Sequence, residues 1–255
     1  MRGPVVSRSR LAEAPSAVCH DGRVTMPDET TTGNGIILMG DPRVTAVPAS
    51  DNGEELVDVR HHGLRVSAFR ADDSGDFALV RAGLAARLLQ AAELLPRGSH
   101  LLLIEGYRPA ALQRRYFDGY LSSLREASPG SDEEHLRMLA SRYVSPPEIA
   151  PHSAGAAIDL TLCSGDGTEL DLGTPVNATP EQSAGACYTG HPSVTGEARR
   201  NRAALSEALG AAGLVNYPTE WWHWSYGDRY WAMATGAPSA IYAAANRRQG
   251  RAGSD

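Results

Sequence analysis

From residue 36 onward the apolar positions change period several times, and each change marks a new element. GIILMG (35–40) and EELVDV (54–59) are short apolar runs that predict strands, while FALVRAGLAARLLQAAELLP (77–96) carries apolar residues at helical spacing and is stopped by Pro96 and Gly98. HLLLIEGYRP (100–109) is an apolar run ending in a Gly and Pro turn, which predicts a buried strand that delivers Tyr107 and Arg108 to a loop. ALQRRYFDGYLSSLREA (111–127) is amphipathic. In SDEEHLRMLASRY (131–143), Ser131 and Glu134 form a capping-box pattern that predicts a further helix. SPPEIAP (145–151) then breaks helix, because proline lacks the amide donor and restricts the residue before it.

AAIDLTL (156–162) alternates, with Ala157, Asp159 and Thr161 on one face of a strand and Ile158, Leu160 and Leu162 on the other. Residues 163–194 are rich in Gly, Thr and Pro and predict a long loop. GEARRNRAALSEALGAAG (196–213) reads as a helix closed by Gly213, and EWWHWSY (220–226) as an aromatic strand. Strands and helices follow in mixed order, so an α+β fold is expected rather than a regular parallel βαβ array. The expected organisation is one domain over residues 36–245, without internal repeats. A disordered leader over 1–35 and a flexible tail over 246–255 are expected from their Ser, Pro, Gly and charged composition.

Charge narrows the partners. Thirty acidic against twenty-four basic side chains give a net charge of -6, which lacks the basic footprint of a general nucleic-acid binder. No run approaches the roughly 20 apolar residues of a membrane-spanning helix, and the N-terminal stretch has no uninterrupted apolar segment of secretory type. A soluble, cytoplasmic protein is therefore the expectation. Cys19, Cys163 and Cys187 are odd in number and far apart, which argues against a disulfide framework or a cysteine-rich metal site.

The candidate chemistry lies in three short stretches. In PHSAGAAID, His152 precedes the strand that carries Asp159, and the small residues between them let the chain turn tightly enough for imidazole and carboxylate to converge. The alternative there is a helix-breaking loop with one exposed histidine and a strand-end acid. In PTEWWHWSY, Glu220 and His223 are three apart, so on a regular strand they face opposite ways and share a site only where the strand is bulged or turned. The tryptophans around them are packing residues on either view. Two histidines and one aspartate provide three metal ligands with a fourth position for water, and Glu220 is an acid beside them. Arg108, in the EGYRP loop, could hold charge that develops on a carbonyl oxygen.

EGYRP, HSAGAAID and EWWH, in this order and spacing, resemble the signatures of the M15 metallopeptidases, closest to the D-alanyl-D-alanine dipeptidase subfamily that includes the vancomycin-resistance enzyme. LDLGTP (170–175) and the asparagine-arginine pair in RRNRAAL (199–205) are also similar to family segments. The resemblance implies a small α+β zinc peptidase fold of hedgehog/D,D-peptidase type, with a central antiparallel or mixed sheet flanked by helices. It further implies one Zn2+ per chain held by His152, Asp159 and His223, Glu220 as general base and then acid, Arg108 as oxyanion stabiliser, and a small peptide substrate.

Departures fall at substrate contacts. Ala150 and Pro151 stand where the subfamily has a serine before the first histidine. Asn177, in GTPVN, replaces the acid that faces the substrate ammonium, and HHGLRVSAF, after Asp58 and Arg60, replaces an aromatic-led stretch. The leading expectation is hydrolysis of D-Ala-D-Ala or a similar small D,D-dipeptide. The alternatives are a D,D-carboxypeptidase or other cell-wall peptide hydrolase, and a non-catalytic peptide-binding descendant. His61 and His62 are adjacent and not expected to share a metal, and His20, His100, His135 and His191 lie in no motif.

Overall fold

Three strands carry the centre of the molecule: β4 (His100–Glu105), β5 (Ala157–Cys163) and β7 (His223–Ser225). In the computed structural model, which describes residues 35–245, they run side by side in a five-stranded sheet with β2 (Arg65–Val66) and β6 (Val215–Asn216) at its edges, in the order β2-β4-β5-β7-β6. Only β2 and β4 are parallel, so the sheet is mixed. A two-stranded antiparallel ribbon pairs β1 (Leu56–Asp58) with β3 (Leu79–Arg81). The architecture is α+β, as the mixed order of elements predicts.

One face of β5 presents Ile158, Leu160 and Leu162 to the main core, where Leu84 and Leu88 of α2 (Ala82–Leu94) and Leu205 and Leu209 of α5 (Gly196–Ala211) pack against it. α2 and α5 thus cover that face with the apolar stripes their sequences carry. The other face holds Asp159 and Thr161 and is equally buried. A second cluster joins α3 (Ala110–Ala127) to α4 (Glu133–Ala140) through Phe117, Leu121, Leu124 and Leu136. Just past the end of α5, Gly213 has a φ of 83°, the left-handed geometry that closes a helix. Two short helices, α1 (Pro42–Thr45) and α6 (Arg229–Thr235), pack on each other.

Four local expectations are corrected. GIILMG forms no strand: it is irregular, and Met39 is held by burial with Val44, Tyr217 and Tyr230. The helix expected from Phe77 starts at Ala82, because Leu79–Arg81 pair with β1, with Val57 opposite Val80. The cap of α4 is Asp132 rather than Ser131: its carboxylate accepts from the His135 amide at 3.0 Å, and its charge suits the positive end of the helix. The aromatic strand is shorter than EWWHWSY, beginning only at His223. The long loop over 164–195 contains turns and one bridge, Cys163 to Glu169. The leader, Cys19, His20 and the tail lie outside the described residues.

Candidate metal centre and cleft

The register of the sheet sets up the site. Asp159 on β5 lies opposite Glu105 on β4 and opposite His223 on β7, so all three residues form one row across the sheet. Directly opposed residues in an antiparallel pair share a face. Glu105 reaches this row because a bulge between Leu103 and Glu105 shifts the register by one residue; without it Ile104 would stand there.

His152 arrives from a 3-10 turn (His152–Ala154) just before β5. The turn closes at Gly155, where φ is 66° and a Cβ would collide with the Leu56 side chain, so glycine is required for both reasons. The EGYRP loop is tied to the same turn: the Arg108 amide donates to the His152 carbonyl at 3.2 Å, and the Ser153 hydroxyl donates to the Arg108 carbonyl at 2.9 Å. His152 Nδ1 pairs with the Gly106 carbonyl at 2.7 Å, which turns Nε2 toward Asp159 and His223.

Glu220 precedes β7 in a turn in which its amide donates to Tyr217 O at 2.9 Å and its carbonyl accepts from the His223 amide at 3.2 Å. The awkward spacing noted in the sequence is resolved in this way. Glu220 is not on the strand, so strand alternation does not apply, and its Oε2 comes within 3.8 Å of His223 Nδ1.

Three donor atoms converge: His152 Nε2 to Asp159 Oδ1 is 3.3 Å, His223 Nδ1 to Asp159 Oδ1 is 3.1 Å, and the two ring nitrogens are 3.2 Å apart. Ligands at 2.0 to 2.1 Å around a tetrahedral zinc lie about 3.3 Å from one another. The donor set therefore fits such an ion in spacing and in type. All three residues are at most 3% exposed. Burial favours the neutral form of His223 and lowers its pKa against the pull of Asp159, and the neutral ring is the form that ligates. Burial would raise the Asp159 carboxyl, but the charge of His152 and hydrogen bonds from both histidines outweigh it and hold Asp159 far below the carboxylate range. Glu220 differs: burial and the neighbouring Asp159 charge raise it well above its usual range, with Arg108 only partly opposing. Two nearby acids are thus pushed apart, one fixed as anion and one poised to carry a proton.

Arg108 sits between the opposed carboxylates of Glu105 and Asp159. It donates to both oxygens of Glu105, at 2.7 and 2.8 Å, and to Gln113 Oε1 at 2.9 Å, while Nη2 stands 3.8 Å from Asp159 Oδ2. Gln113, on the first turn of α3, is itself anchored to the Ser145 carbonyl at 2.7 Å. Asn177 adopts φ 65°, its carbonyl accepts from the Tyr143 hydroxyl at 2.8 Å, and its side-chain nitrogen is buried with no hydrogen-bond partner among the described residues. Arg70, Tyr116, Tyr120, Tyr143, Ser145, Asn177 and Trp222 line a cleft that opens onto the His-Asp-His cluster, Glu220 and Arg108.

A family model described as Peptidase_M15, D-ala-D-ala dipeptidase, matches residues 70–238. The chain belongs to the peptidase M15 family. Among its M15 relatives, a protein of Synechocystis named D-alanyl-D-alanine dipeptidase is 29% identical over 217 residues, covering 73% of this chain and 87% of the relative. One of the same name from Enterococcus faecium is 31% identical over 150 residues, covering 57% and 71%. A solved vancomycin-resistance D,D-pentapeptidase in complex with Zn(II) overlaps 64% of this chain and 80% of its own, at 17% identity and a TM-score of 0.31.

Within this M15 chain the two outlying similar segments meet: Asn201 donates to Asp171 O, and Arg202 to Leu172 O, at 2.9 and 2.7 Å. The sequence did not single out Arg70, Glu105 or Gln113. Glu105 had a local signal, its i,i+3 spacing to Arg108; Arg70 had none. His61 and His62 are exposed in a 3-10 turn (Val59–His62), not on a strand, and His191 pairs with the Ser193 hydroxyl.

Proposed function

We propose that this protein hydrolyses D-Ala-D-Ala or a similar small D,D-dipeptide in a zinc-dependent reaction, with residues 36–245 as the peptidase domain. The observation that carries the reading is the triangle of donor atoms at 3.1 to 3.3 Å, with Glu220 3.8 Å from one corner. His152, Asp159 and His223 would hold the metal. A bound zinc ion activates water and polarises a carbonyl at neutral pH.

The chain's own residues do the rest. Glu220, with its raised pKa, takes the proton of the attacking water and passes it to the leaving amine. Arg108, held rigid by Glu105 and Gln113, presents a fixed positive charge to the carbonyl oxygen as it becomes anionic, so no reorganisation is needed during the reaction. Trp222 and the tyrosines line the walls of the cleft. No described helix is long and apolar enough to cross a membrane. We place the reaction in the cytoplasm, a setting in keeping with the free thiols of Cys163 and Cys187.

One observation favours a second reading. The Asn177 side chain offers the cleft an unpartnered donor rather than a carboxylate for an ammonium group, which suits an N-acylated D,D-peptide and carboxypeptidase action. Amine release from D-Ala-D-Ala measured beside N-acetyl-D-Ala-D-Ala decides between them. Turnover of the free dipeptide is expected, and turnover of the acylated compound alone would exclude the dipeptidase reading.

A further inference from the structure

The cleft contains two guanidinium groups, and they are not equivalent. Arg108 is held in place by three hydrogen bonds, two to Glu105 and one to Gln113. Arg70 is not: its Nε lies 3.6 Å from Glu105 Oε2, beyond hydrogen-bond reach, and is buried with no partner among the described residues. Both oxygens of Glu105 are already taken by Arg108. Among the described residues the remaining polar contact of Arg70 is Nη1 to the Tyr116 hydroxyl at 3.5 Å, at the limit of a hydrogen bond. Its side chain is 16% exposed, and the guanidinium carbon lies within cation–π range of the rings of Phe69 and Tyr116, at 5.4 and 5.7 Å from their centroids.

A guanidinium placed beside aromatic rings in this way is short of acceptors. Its planar fork matches a carboxylate and favours a two-pronged contact. The obligate anion of a D,D-dipeptide is its terminal carboxylate, one residue beyond the scissile carbonyl. Arg70 and Arg108 both stand beside one carboxylate, Glu105, and both line the cleft, so the cleft sets a second cation next to the one that faces the scissile carbonyl.

We infer that Arg70 is a specificity-determining residue that binds the free C-terminal carboxylate of the substrate. This rests on the D,D-dipeptide reading. The test is calorimetric binding to zinc-loaded Glu220→Gln protein, which holds ligand without turnover, using D-Ala-D-Ala and D-Ala-D-Ala amide. Arg70→Gln in that background should weaken D-Ala-D-Ala roughly ten- to hundredfold, the worth of a charge-assisted contact, and leave the amide unchanged. Arg70→Lys should recover part of the loss, since charge returns without the fork. An equal loss for both ligands marks a structural role and overturns the assignment, as does no loss for either. Failure of the zinc-loaded Glu220→Gln protein to bind either compound removes the dipeptide reading itself, and this assignment with it.

Discussion

Glu105 accepts two parallel hydrogen bonds from Arg108, Nε to Oε1 at 2.7 Å and Nη2 to Oε2 at 2.8 Å, and both residues are almost fully buried. Removing one member of such a pair strands the other charge away from water. Glu105→Ala is expected to cost roughly 3–5 kcal/mol of stability, measured by urea unfolding. It should lower kcat/KM as well, because Arg108 loses the contact that aims it.

The same pair gives a pH dependence. Burial would raise the Glu105 carboxyl, but the Arg108 charge and hydrogen bonds outweigh it and set its pKa below the ordinary 4.5. A group whose folded pKa is depressed binds fewer protons in the folded state, so its contribution is complete above the unfolded value and is lost as pH falls through the folded one. Unfolding free energy should therefore fall with acid below about pH 4.5. The slope of that fall should be smaller in Glu105→Gln, which cannot titrate; an unchanged slope would assign the acid sensitivity to other groups.

Metal removal should be visible without any assay of turnover. One zinc per chain is expected by elemental analysis, and His152→Ala or His223→Ala should abolish it. A ligand that binds only the folded state stabilises by mass action, about 2.7 kcal/mol at a free concentration one hundred times Kd. Chelation should thus lower Tm in the parent protein and leave both variants where they are. A parent Tm indifferent to chelator and to added zinc would contradict the assigned site.

Glu220→Gln separates the base from the ligands. The amide is isosteric and does not belong to the three-atom cluster, so zinc content should be unchanged while kcat falls by about 10²- to 10⁴-fold. Loss of zinc together with activity would make Glu220 a ligand instead.

Much of this site is legible in the chain because its signals are local. The alternation around Asp159 and the small residues between it and His152 are short-range features, and the structure brings both side chains to one point. Glu220 and His223 looked incompatible only under the assumption of a continuous strand; the turn at Glu220 depends on the Tyr217 carbonyl and could not be read from apolar pattern. GIILMG has strand composition but finds no pairing partner among the described residues, and burial of Met39 against Tyr217 and Tyr230 holds it instead. Leu79–Arg81 were hidden inside a helical period because their partner, β1, lies more than twenty residues away. Arg70 was invisible for the same reason: what makes it notable is its position beside Glu105 and Tyr116, which no neighbouring residue announces.

Arg202 tests whether the long loop depends on α5. Its guanidinium donates to the carbonyls of Leu172, Tyr188 and Ala186 at 2.7, 2.8 and 2.8 Å, and thereby pins both ends of a segment that includes Asn177. It is 4% exposed, and burial lowers its pKa to about 10 against the smaller opposing pull of the Cys187 and Asp171 charges. Arg202→Met keeps much of the apolar stem but leaves three carbonyls without their donor, each worth about 1–3 kcal/mol where water cannot replace it. The variant should be destabilised by several kcal/mol on that scale, and proteolysis should cut first between residues 173 and 189. Arg202→Lys should recover little, because a single ammonium cannot span three divergent carbonyls as the fork does. If the lysine variant matched the parent in both Tm and cleavage pattern, the loop would be held by its other contacts, such as Trp221 Nε1 to Thr174 Oγ1 at 2.8 Å.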